Sequence, residues 1–521
     1  MSSFWCRRAC RASTAPALLI AWMVSWAHAA PGDIDTAFGS NGLTRISANV
    51  SASESFKSAL VVEPNGSIVM AGACDVTPAG ASARTLSVCL ARVLIDGAPD
   101  PTFGSNGLAM GPTGVSDRAV VDLARQSDGK FVVASICEDL TGYYFCARRL
   151  TSAGMVDNTF GINGAVNLVR PTGSDQAFVS TVRANRDGTL LLVGRCRFGD
   201  DSRICLLRLL ANGQPDASHG SDGYITVSLR PTVQGLYNAH LFNFLPNGKL
   251  QYASLCDLTT GLHHCIAQLT TEATLDPTFN ATGVLPGLAL KKVEAGDQSS
   301  LTTAALRGDG RAMLASSCNR TSPTQGPPEI CLIAFTADGR IDEGFGTVGE
   351  RRIASTAAGG MLVASQLLPS PDGRILLSGR CGAAIQNWLP CVNRHDADGA
   401  LDASFTSTLL SSLPAPDPEA GGLAIQATGK VVLGGACKGD LRGFCITRIF
   451  GGPQDYARCS ADLDGDGAVT ANDSLLFSRA ALGFTGAALT DNIAFASSAQ
   501  RNTWPKIRDY LFNHCGMPVA P

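Results

Sequence analysis

Charge is scarce in this chain. Only 16 % of its 521 residues are Asp, Glu, Lys or Arg, and 41 basic against 44 acidic side chains leave a formal net charge of −3. No basic stripe of the kind that grips nucleic acid or an anionic membrane is present, so neither partner is expected. Aromatic residues are few as well, at 6 %. His-Glu-x-x-His, Gly-x-Ser-x-Gly and a phosphate-cradling glycine loop after a strand are all missing, which disfavours an enzyme. The carboxylate pair of a glycosidase leaves no such local mark, because its members meet only in space. Cys-x-x-Cys is missing too, and with it the usual spacing of a structural zinc site. No apolar run reaches the length of a membrane span.

What the chain has instead is glycine, 56 residues of it, and a phrase that returns. Ala98-Pro-Asp-Pro-Thr-Phe-Gly-Ser-Asn-Gly107 reappears as Asp35-Thr-Ala-Phe-Gly-Ser-Asn-Gly42 and Asp157-Asn-Thr-Phe-Gly-Ile-Asn-Gly164, and more loosely at Asp216, Asp276, Asp342 and Asp402. Its aromatic position steps through Phe38, Phe103, Phe160, His219, Phe279, Phe345 and Phe405, a period of 57 to 66 residues. Such a period without helical patterning points to a propeller or a solenoid.

The second repeat shows the unit clearly. An apolar run at Ala119–Ala124, the turn Ser127-Asp-Gly129, a strand from Lys130 to Ile136, a third from Cys146 to Leu150 and a fourth from Ala165 to Val169 make four strands in sequence order. That is the make-up of a propeller blade. The Asx-Gly turn recurs at Pro64-Asn-Gly66, Arg186-Asp-Gly188, Pro246-Asn-Gly248, Gly308-Asp-Gly310 and Pro371-Asp-Gly373, and as Ala427-Thr-Gly429. Seven turns and seven motifs run out of phase, because the chain opens with a motif and the array closes with three strands that lack one. If Gly42–Ala48 supplies the missing fourth strand, seven blades close with no exposed edge. An open solenoid needs two polar caps, and neither end reads as one.

The Asp-Pro-Thr-Phe-Gly-Ser-Asn-Gly phrase with its upstream Asp-Gly-Lys hairpin resembles the bacterial delta-sixty repeat family, over residues 31 to 450. The resemblance implies propeller blades and carries no assigned chemistry. It weakens where His219 replaces Phe, where Asn280 replaces Gly and after Phe405.

Cysteine follows the same beat. Cys74/Cys89, Cys137/Cys146, Cys196/Cys205, Cys256/Cys265, Cys318/Cys331, Cys381/Cys391 and Cys437/Cys445 fall one pair per repeat, with Cys459 and Cys515 left over. Regular pairs behind an export signal read as a disulfide framework. The signal is expected at residues 1–29: Arg7, Arg8 and Arg11, an apolar stretch from Ala15 to Trp26, then Ala27-His-Ala29 with small residues at the −3 and −1 positions. Pro16 interrupts that stretch, and it is too short for a membrane anchor. A secreted protein, extracellular or periplasmic and monomeric, follows.

The meander places every disulfide loop on one rim and the Asx-Gly hairpins and motif turns on the other. Glu54, Asp117, Asp175, Asp297 and Glu419 stand just before inner strands on the disulfide rim. They either converge on a cation or on sugar hydroxyls, or each bonds its own loop. Arg92, Arg149, Arg208, Arg394 and Arg448 recur three residues after a cysteine, with Gln268 and Ala334 breaking the series. A blade-to-blade salt link is their expected role. His263 and His264 read as exposed rim-loop residues. The disulfide rim is the expected face for an unknown protein or glycan ligand.

After residues 451–458, a linker, the grammar changes. Counting Asp462 as position 1 of a loop, oxygen ligands stand at position 3 (Asp464), 5 (Asp466), 7 (the Ala468 carbonyl) and 12 (Asp473), with Gly467 at the sharp turn. Alternate acids that gather hard oxygens at one point are what calcium requires; the plain alternative is an acidic solvated turn. The loop resembles the calcium repeat of type I dockerins, which also use Asp at position 12. A second loop is lacking, since Asp491-Asn492 has no ligand spacing after it, and that puts cohesin binding in doubt. Helices are expected at Ser474–Leu482, with Leu475, Leu476 and Leu482 on its apolar side, and at Arg501–His514, with Trp504, Ile507 and Leu511 as core. Cys459 and Cys515 bracket the unit, residues 459–516, and are expected to join.

The fold class expected is therefore all-β, a seven-bladed β-propeller of four-stranded blades closed by the N-terminal strand, plus a small α-helical EF-hand or dockerin-like C-terminal domain. The function expected is an exported, non-catalytic binding or surface scaffold with a calcium-stabilised module. A polysaccharide-active enzyme or accessory protein is the alternative that the dockerin resemblance prompts.

Overall fold

The computed structural model describes residues 30–48, 59–81, 85–112, 117–245, 247–294, 297–320, 329–354, 361–370, 373–381, 389–405, 422–437, 443–451, 462–466 and 468–511. Short β-branched and aliphatic runs, cut by turns that need a positive φ, fold into seven antiparallel sheets. Blade 1 holds Ala59–Val62, Ile68–Asp75, Leu86–Val93 and Leu108–Met110; blade 2 holds Asp117–Arg125, Phe131–Asp139, Gly142–Leu150 and Ala165–Val169. Blade 3 holds Gln176–Ala184, Leu190–Phe198, Asp201–Leu209 and Tyr224–Val227; blade 4 holds Gly235–Phe244, Leu250–Leu258, Gly261–Leu269 and Leu288–Lys292. Blade 5 holds Asp297–Leu306, Ala312–Arg320, Glu329–Phe335 and Glu350–Ala354. Blade 6 shows three strands, Met361–Pro369, Ile375–Cys381 and Leu389–His395; residues 406–421, which follow it, lie outside the described ones.

The seventh blade is built from both ends of the array. Gly422–Ile425, Val431–Ala436 and Gly443–Ile449 are joined by Leu43–Ser47, which pairs antiparallel from Leu43↔Thr447 to Ser47↔Gly443. The seam continues in an Ile34↔Ile449 bridge and in Gly32 N donating to Phe450 O at 2.7 Å. First strands of neighbouring blades touch all the way round, blade 7 against blade 1 included. The ring is a closed seven-bladed propeller, which leaves no sheet edge at the seam.

Between blades lie aliphatic layers. Blade 2 gives Val132, Ala134, Phe145 and Ala147, and blade 3 answers with Ala177, Val179, Leu190 and Leu192. A further tie was invisible in the sequence. Several first strands break register midway, between Val120 and Asp122, Val179 and Thr181, Leu301 and Thr303, and Ala364 and Gln366. The bulge re-aims the next side chain at the neighbouring blade. Asp122 Oδ2 accepts from Thr181 Oγ1 at 2.5 Å and Val182 N at 2.9 Å, and Gln366 Oε1 accepts from Leu423 N at 2.5 Å.

The C-terminal segment folds as Ala471–Ala481, Ala487–Thr490 and Trp504–Asp509 around Leu463, Leu476, Ala480, Leu489, Ile507 and Leu511. The first helix begins three residues before the expected Ser474, because Thr470 donates its N–H (2.7 Å) and hydroxyl (2.9 Å) to Asp473 and so fixes the start. Ile507 and Leu511 are core, with Trp504 packed against it. Leu475 and Leu482 are not: they are 40 % and 77 % exposed, and Leu476 alone of the expected trio turns inward. No helix among the described residues is long and apolar enough to cross a membrane.

Candidate functional site

The recurring motif is a seam device. Each motif Asp makes an Asx turn with the Ser or Thr two residues on where one is present, as Asp157 does with Thr159 at 2.6 Å and Asp402 with Ser404 at 2.6 Å. Its other oxygen takes the recurring Arg eight residues earlier: Arg149 to Asp157 at 2.7 Å, Arg208 to Asp216 at 2.6 Å and Arg394 to Asp402 at 2.7 Å. That salt link lies inside one blade, a correction to the expected blade-to-blade pair. The bond that crosses blades is to a carbonyl: Arg92 Nη1 donates to Ser152 O at 2.8 Å, and Arg149 Nη1 to Ala211 O at 2.6 Å. Each of these guanidinium groups also stacks on its own motif ring, Arg92 on Phe103 at 4.4 Å and Arg149 on Phe160 at 4.5 Å.

Where the Arg series breaks, the cation arrives from elsewhere. Gln268 donates to Asp276 at 2.8 Å, and Lys249, just past the Asn-Gly turn, supplies the charge at 2.6 Å. At Ala334 the same turn position supplies Arg311, 2.8 Å from Asp342. Burial alone would raise these carboxyls, yet the hydrogen bonds and cations outweigh it and hold Asp157 and Asp402 at about 2.

The motif ring packs on the next blade's turn glycine. A Cβ on Gly97 would stand 2.9 Å from the Phe38 ring, on Gly339 2.8 Å from Phe279, and on Gly399 2.6 Å from Phe345. His219 is the exception among the rings, and the turn facing its blade carries Ala273 at φ 58° instead of glycine. The smaller ring and the added methyl occur together.

All seven expected cysteine pairs are bonded. The bond lies within the sheet at Cys137–Cys146. Cys137 stands opposite Tyr144 and Cys146 opposite Ser135, so the bond runs diagonally between paired strands with both sulfurs buried, under a tight Asp139–Gly142 hairpin. Cys459 and Cys515 lie outside the described residues, as does the expected export signal.

Of the five expected rim acids, only Asp117 and Asp175 have described side chains, and each is held by a different partner. Asp117 is fully buried against Arg148 at 2.9 Å and Ser135 at 2.6 Å, with burial pushing its carboxyl upward. Asp175 accepts at 2.7 Å from Gly199 N in the Phe198–Asp201 hairpin of the same blade, and Asp297 stands at a strand start opposite Arg320. Glu54 and Glu419 lie outside the described residues. His263 and His264 are strand residues, 8 % and 3 % exposed, rather than exposed loop residues.

In the C-terminal segment, carboxylate oxygens of Asp462, Asp464 and Asp473 lie within 4.8 Å of one another. Asp464 is 1 % exposed, and its Oδ2 has no hydrogen-bond partner. Burial first, then the charges of Asp473, Asp466 and Asp462, push the Asp464 carboxyl above its ordinary value. Asp473 accepts from Leu463 N at 2.6 Å and Asp464 N at 3.1 Å, while Asp462 accepts from Gly465 N at 2.6 Å. Asp466 turns its Oδ1 to Ala468 N at 2.8 Å and stays outside the group of three. Arg501 clamps the loop from behind, donating to Leu463 O at 2.8 Å and Asp462 O at 2.7 Å. Sequence reasoning missed Arg501 because it stands 38 residues from Leu463.

One open cleft of about 510 Å³ lies between blades 4 and 5, lined by Asn280, Leu290, Thr336, Arg340, Ile341 and Glu343. It is on the motif rim, opposite the disulfide rim.

Residues 185–218 match a family model described as a domain of unknown function (DUF5122) beta-propeller, a stretch running from the blade 3 hairpin to its motif. No curated protein sequence matches the chain. Among solved structures, the polysaccharide lyase Uly1 superposes with a TM-score of 0.48 at 13 % identity, over 77 % of this chain and 91 % of that one. An alpha-L-arabinanase from Penicillium chrysogenum, complexed with arabinobiose, gives 0.39 at 12 % identity over 63 % and 92 %. The NanB sialidase from Streptococcus pneumoniae gives 0.36 at 10 % identity over 79 % and 71 %. At this level of identity none of them assigns a substrate or a reaction to this chain.

Proposed function

We propose that the chain is an exported, non-catalytic binding scaffold whose disulfide rim is the recognition face. One observation carries the reading. The motif rim is built alike in blade after blade and its polar groups are spent on ring closure, whereas the disulfide rim varies, with bonded cysteines 8 to 15 residues apart. Constant scaffolding under variable hairpins is how a binding surface is diversified without disturbing a core. A glycan array read together with a turnover assay tests it: retention without product supports the scaffold, and product formation favours a polysaccharide-active enzyme instead.

The acidic loop is read as a calcium site in the same proposal. Three clustered carboxylates, one with an orphaned buried oxygen and a raised proton affinity, are a donor set that a hard divalent cation relieves. Asp462, Asp464 and Asp473 would hold the ion, with Asp466 and the Ala468 carbonyl as the remaining sequence-placed donors. Its contribution would be to tie the loop to the first helix, not to take part in chemistry. Calcium titration by calorimetry checks this. If Asp464→Ala with Asp466→Ala leaves calcium affinity and the melting of the C-terminal segment unchanged, the assignment is wrong.

A further inference from the structure

Guanidinium groups stacked on aromatic rings occur about once per 70–80 residues. Between residues 118 and 203 the disulfide rim carries four: Arg118 on Tyr143 at 5.6 Å, Arg170 on Tyr144 at 4.5 Å, Arg195 on Phe178 at 5.1 Å and Arg203 on Phe198 at 4.3 Å. Tyr143 and Phe178 themselves meet at 4.9 Å and 37°. Arg118, Tyr143, Phe178 and Arg195 thus form one stack that crosses from blade 2 to blade 3 where the inner strands begin.

All but one of the described acids of this stretch are engaged. Glu138 pairs with Arg118 at 2.5 Å, Asp201 with Arg203 at 2.6 Å and Arg230 at 3.5 Å, Asp139 accepts from Thr141 N at 2.7 Å, and Asp175 from Gly199 N at 2.7 Å. Asp200, exposed in the same hairpin, is the acid left over. Three guanidinium groups have no carboxylate among the described residues. Arg170 donates to the carbonyls of Asp175 at 2.7 Å and Thr141 at 3.4 Å, Arg197 to that of Gly199 at 2.9 Å, and Arg195 leaves a buried Nε unpartnered. Arg195 and Arg197 lie two residues apart on one strand and so share a face.

A guanidinium seated over a ring, as those of Arg195 and Arg170 are, still offers N–H groups at its edge, which a carboxylate matches with two bonds. Beside it, the half-buried rings of Tyr143 and Phe178 and the exposed Leu140 offer apolar surface. An acidic peptide satisfies the charges; a pyranose carrying a carboxylate satisfies both the charges and the apolar surface, through its C–H face.

We propose that the disulfide rim of blades 2 and 3 binds acidic carbohydrate, with uronate carboxylates on Arg195, Arg197 and Arg170 and sugar C–H groups against Leu140 and the exposed ring edges of Tyr143 and Phe178. This rests on the reading of the disulfide rim as the recognition face. The test is calorimetric titration of the mature protein with an oligogalacturonate, a sulfated oligosaccharide, a neutral cello-oligosaccharide and polyglutamate. The oligogalacturonate is expected to bind, at least tenfold tighter than the neutral oligomer and than polyglutamate, and tighter than the sulfated one. Arg197→Ala, at an exposed position, is expected to weaken it about tenfold with melting unchanged, and Tyr143→Ala, which also opens the stack between the blades, about tenfold with melting lowered. Arg195→Lys, which keeps the charge and loses the fork, should weaken binding as Arg197→Ala does. No binding of the oligogalacturonate, or equal binding by the three variants, overturns the site; retention of another glycan at another face would still leave the scaffold reading standing. Equal or tighter binding of polyglutamate assigns the rim to acidic protein, and of the sulfated oligomer to sulfate, and either overturns the uronate assignment. Product release from a bound oligogalacturonate would refute the non-catalytic reading while leaving the site in place.

Discussion

Asp35 is the residue on which ring closure bears hardest. It is 2 % exposed and accepts from Arg448 Nε at 2.8 Å and Lys430 Nζ at 2.6 Å, so one carboxylate from the N-terminal segment holds two cations from the last blade. Arg448 also donates to Ile95 O and stacks on Phe38 at 4.6 Å, which ties the seam on to blade 1. In Asp35→Asn, Lys430, with 28 % of its side chain exposed, can turn to water, but Arg448, at 7 %, cannot. An uncompensated buried charge of that kind costs roughly 3–5 kcal/mol, and the retained amide oxygen places this case near the lower figure. About 3 kcal/mol is roughly a hundredfold in an opening equilibrium. Hydrogen exchange of the amides in Leu43–Ser47 should therefore speed up by about two decades, with blade 3 amides unchanged. Asp216→Asn is the control: its partner Arg208 has 35 % of its side chain exposed, so the orphaned charge reaches water and the effect should be far smaller. Unchanged exchange in Leu43–Ser47, or equal acceleration throughout the ring, would refute the closure argument.

Other expectations follow from the same seams. His219→Phe should destabilise alone, because the ring meets the Ala273 methyl, and the loss should be reversed by adding Ala273→Gly; denaturation of the four proteins in a mutant cycle reads a coupling of about 1–3 kcal/mol. His395 is fully buried with its pKa lowered by burial, so the unfolded chain takes up its proton first and stability present above about pH 6.5 is lost as pH falls below it. His395→Leu, the residue at the matching position of blades 2, 3 and 4, should flatten that acid slope in melting experiments. Asp157 and Asp402, held at about 2, act lower: their contribution is present above the ordinary carboxylate range near 4 and is lost as pH falls toward 2. Replacing both cysteines of the Cys137–Cys146 pair, 9 residues apart, by serine should cost about 2.5 kcal/mol by chain entropy, and a null effect in denaturation would dismiss that account.

Much of the fold could be read from spacing, because a propeller repeats its local chemistry. The phase of motif against hairpin placed Gly42–Ala48 in the last blade, and the cysteine beat gave each of the seven pairs. What could not be read depends on direction rather than spacing. Asp117 looked like a rim acid, yet its strand position points it inward to Arg148, which removes it from the expected rim group. The Arg and Asp series were both visible, and their constant separation of eight residues was the signal that joined them; the substitution of Lys249 and Arg311 for the missing Arg needed the turn geometry. The Arg-on-aromatic stack at blades 2 and 3 leaves no periodic trace at all, since Tyr143, Phe178 and Arg195 come from three strands. At the acidic loop, spacing named five donors, and the structure gathers three of them while leaving Asp466 turned to its own backbone.

The claim that the disulfide rim is the recognition face is tested most directly by mapping where a retained glycan protects the backbone from hydrogen exchange. Protection should fall on the hairpins Asp139–Gly142 and Phe198–Asp201 and on the starts of the inner strands beside them. Protection of the motif turns Phe103–Gly107 and Phe160–Gly164, with those hairpins unchanged, would contradict the account.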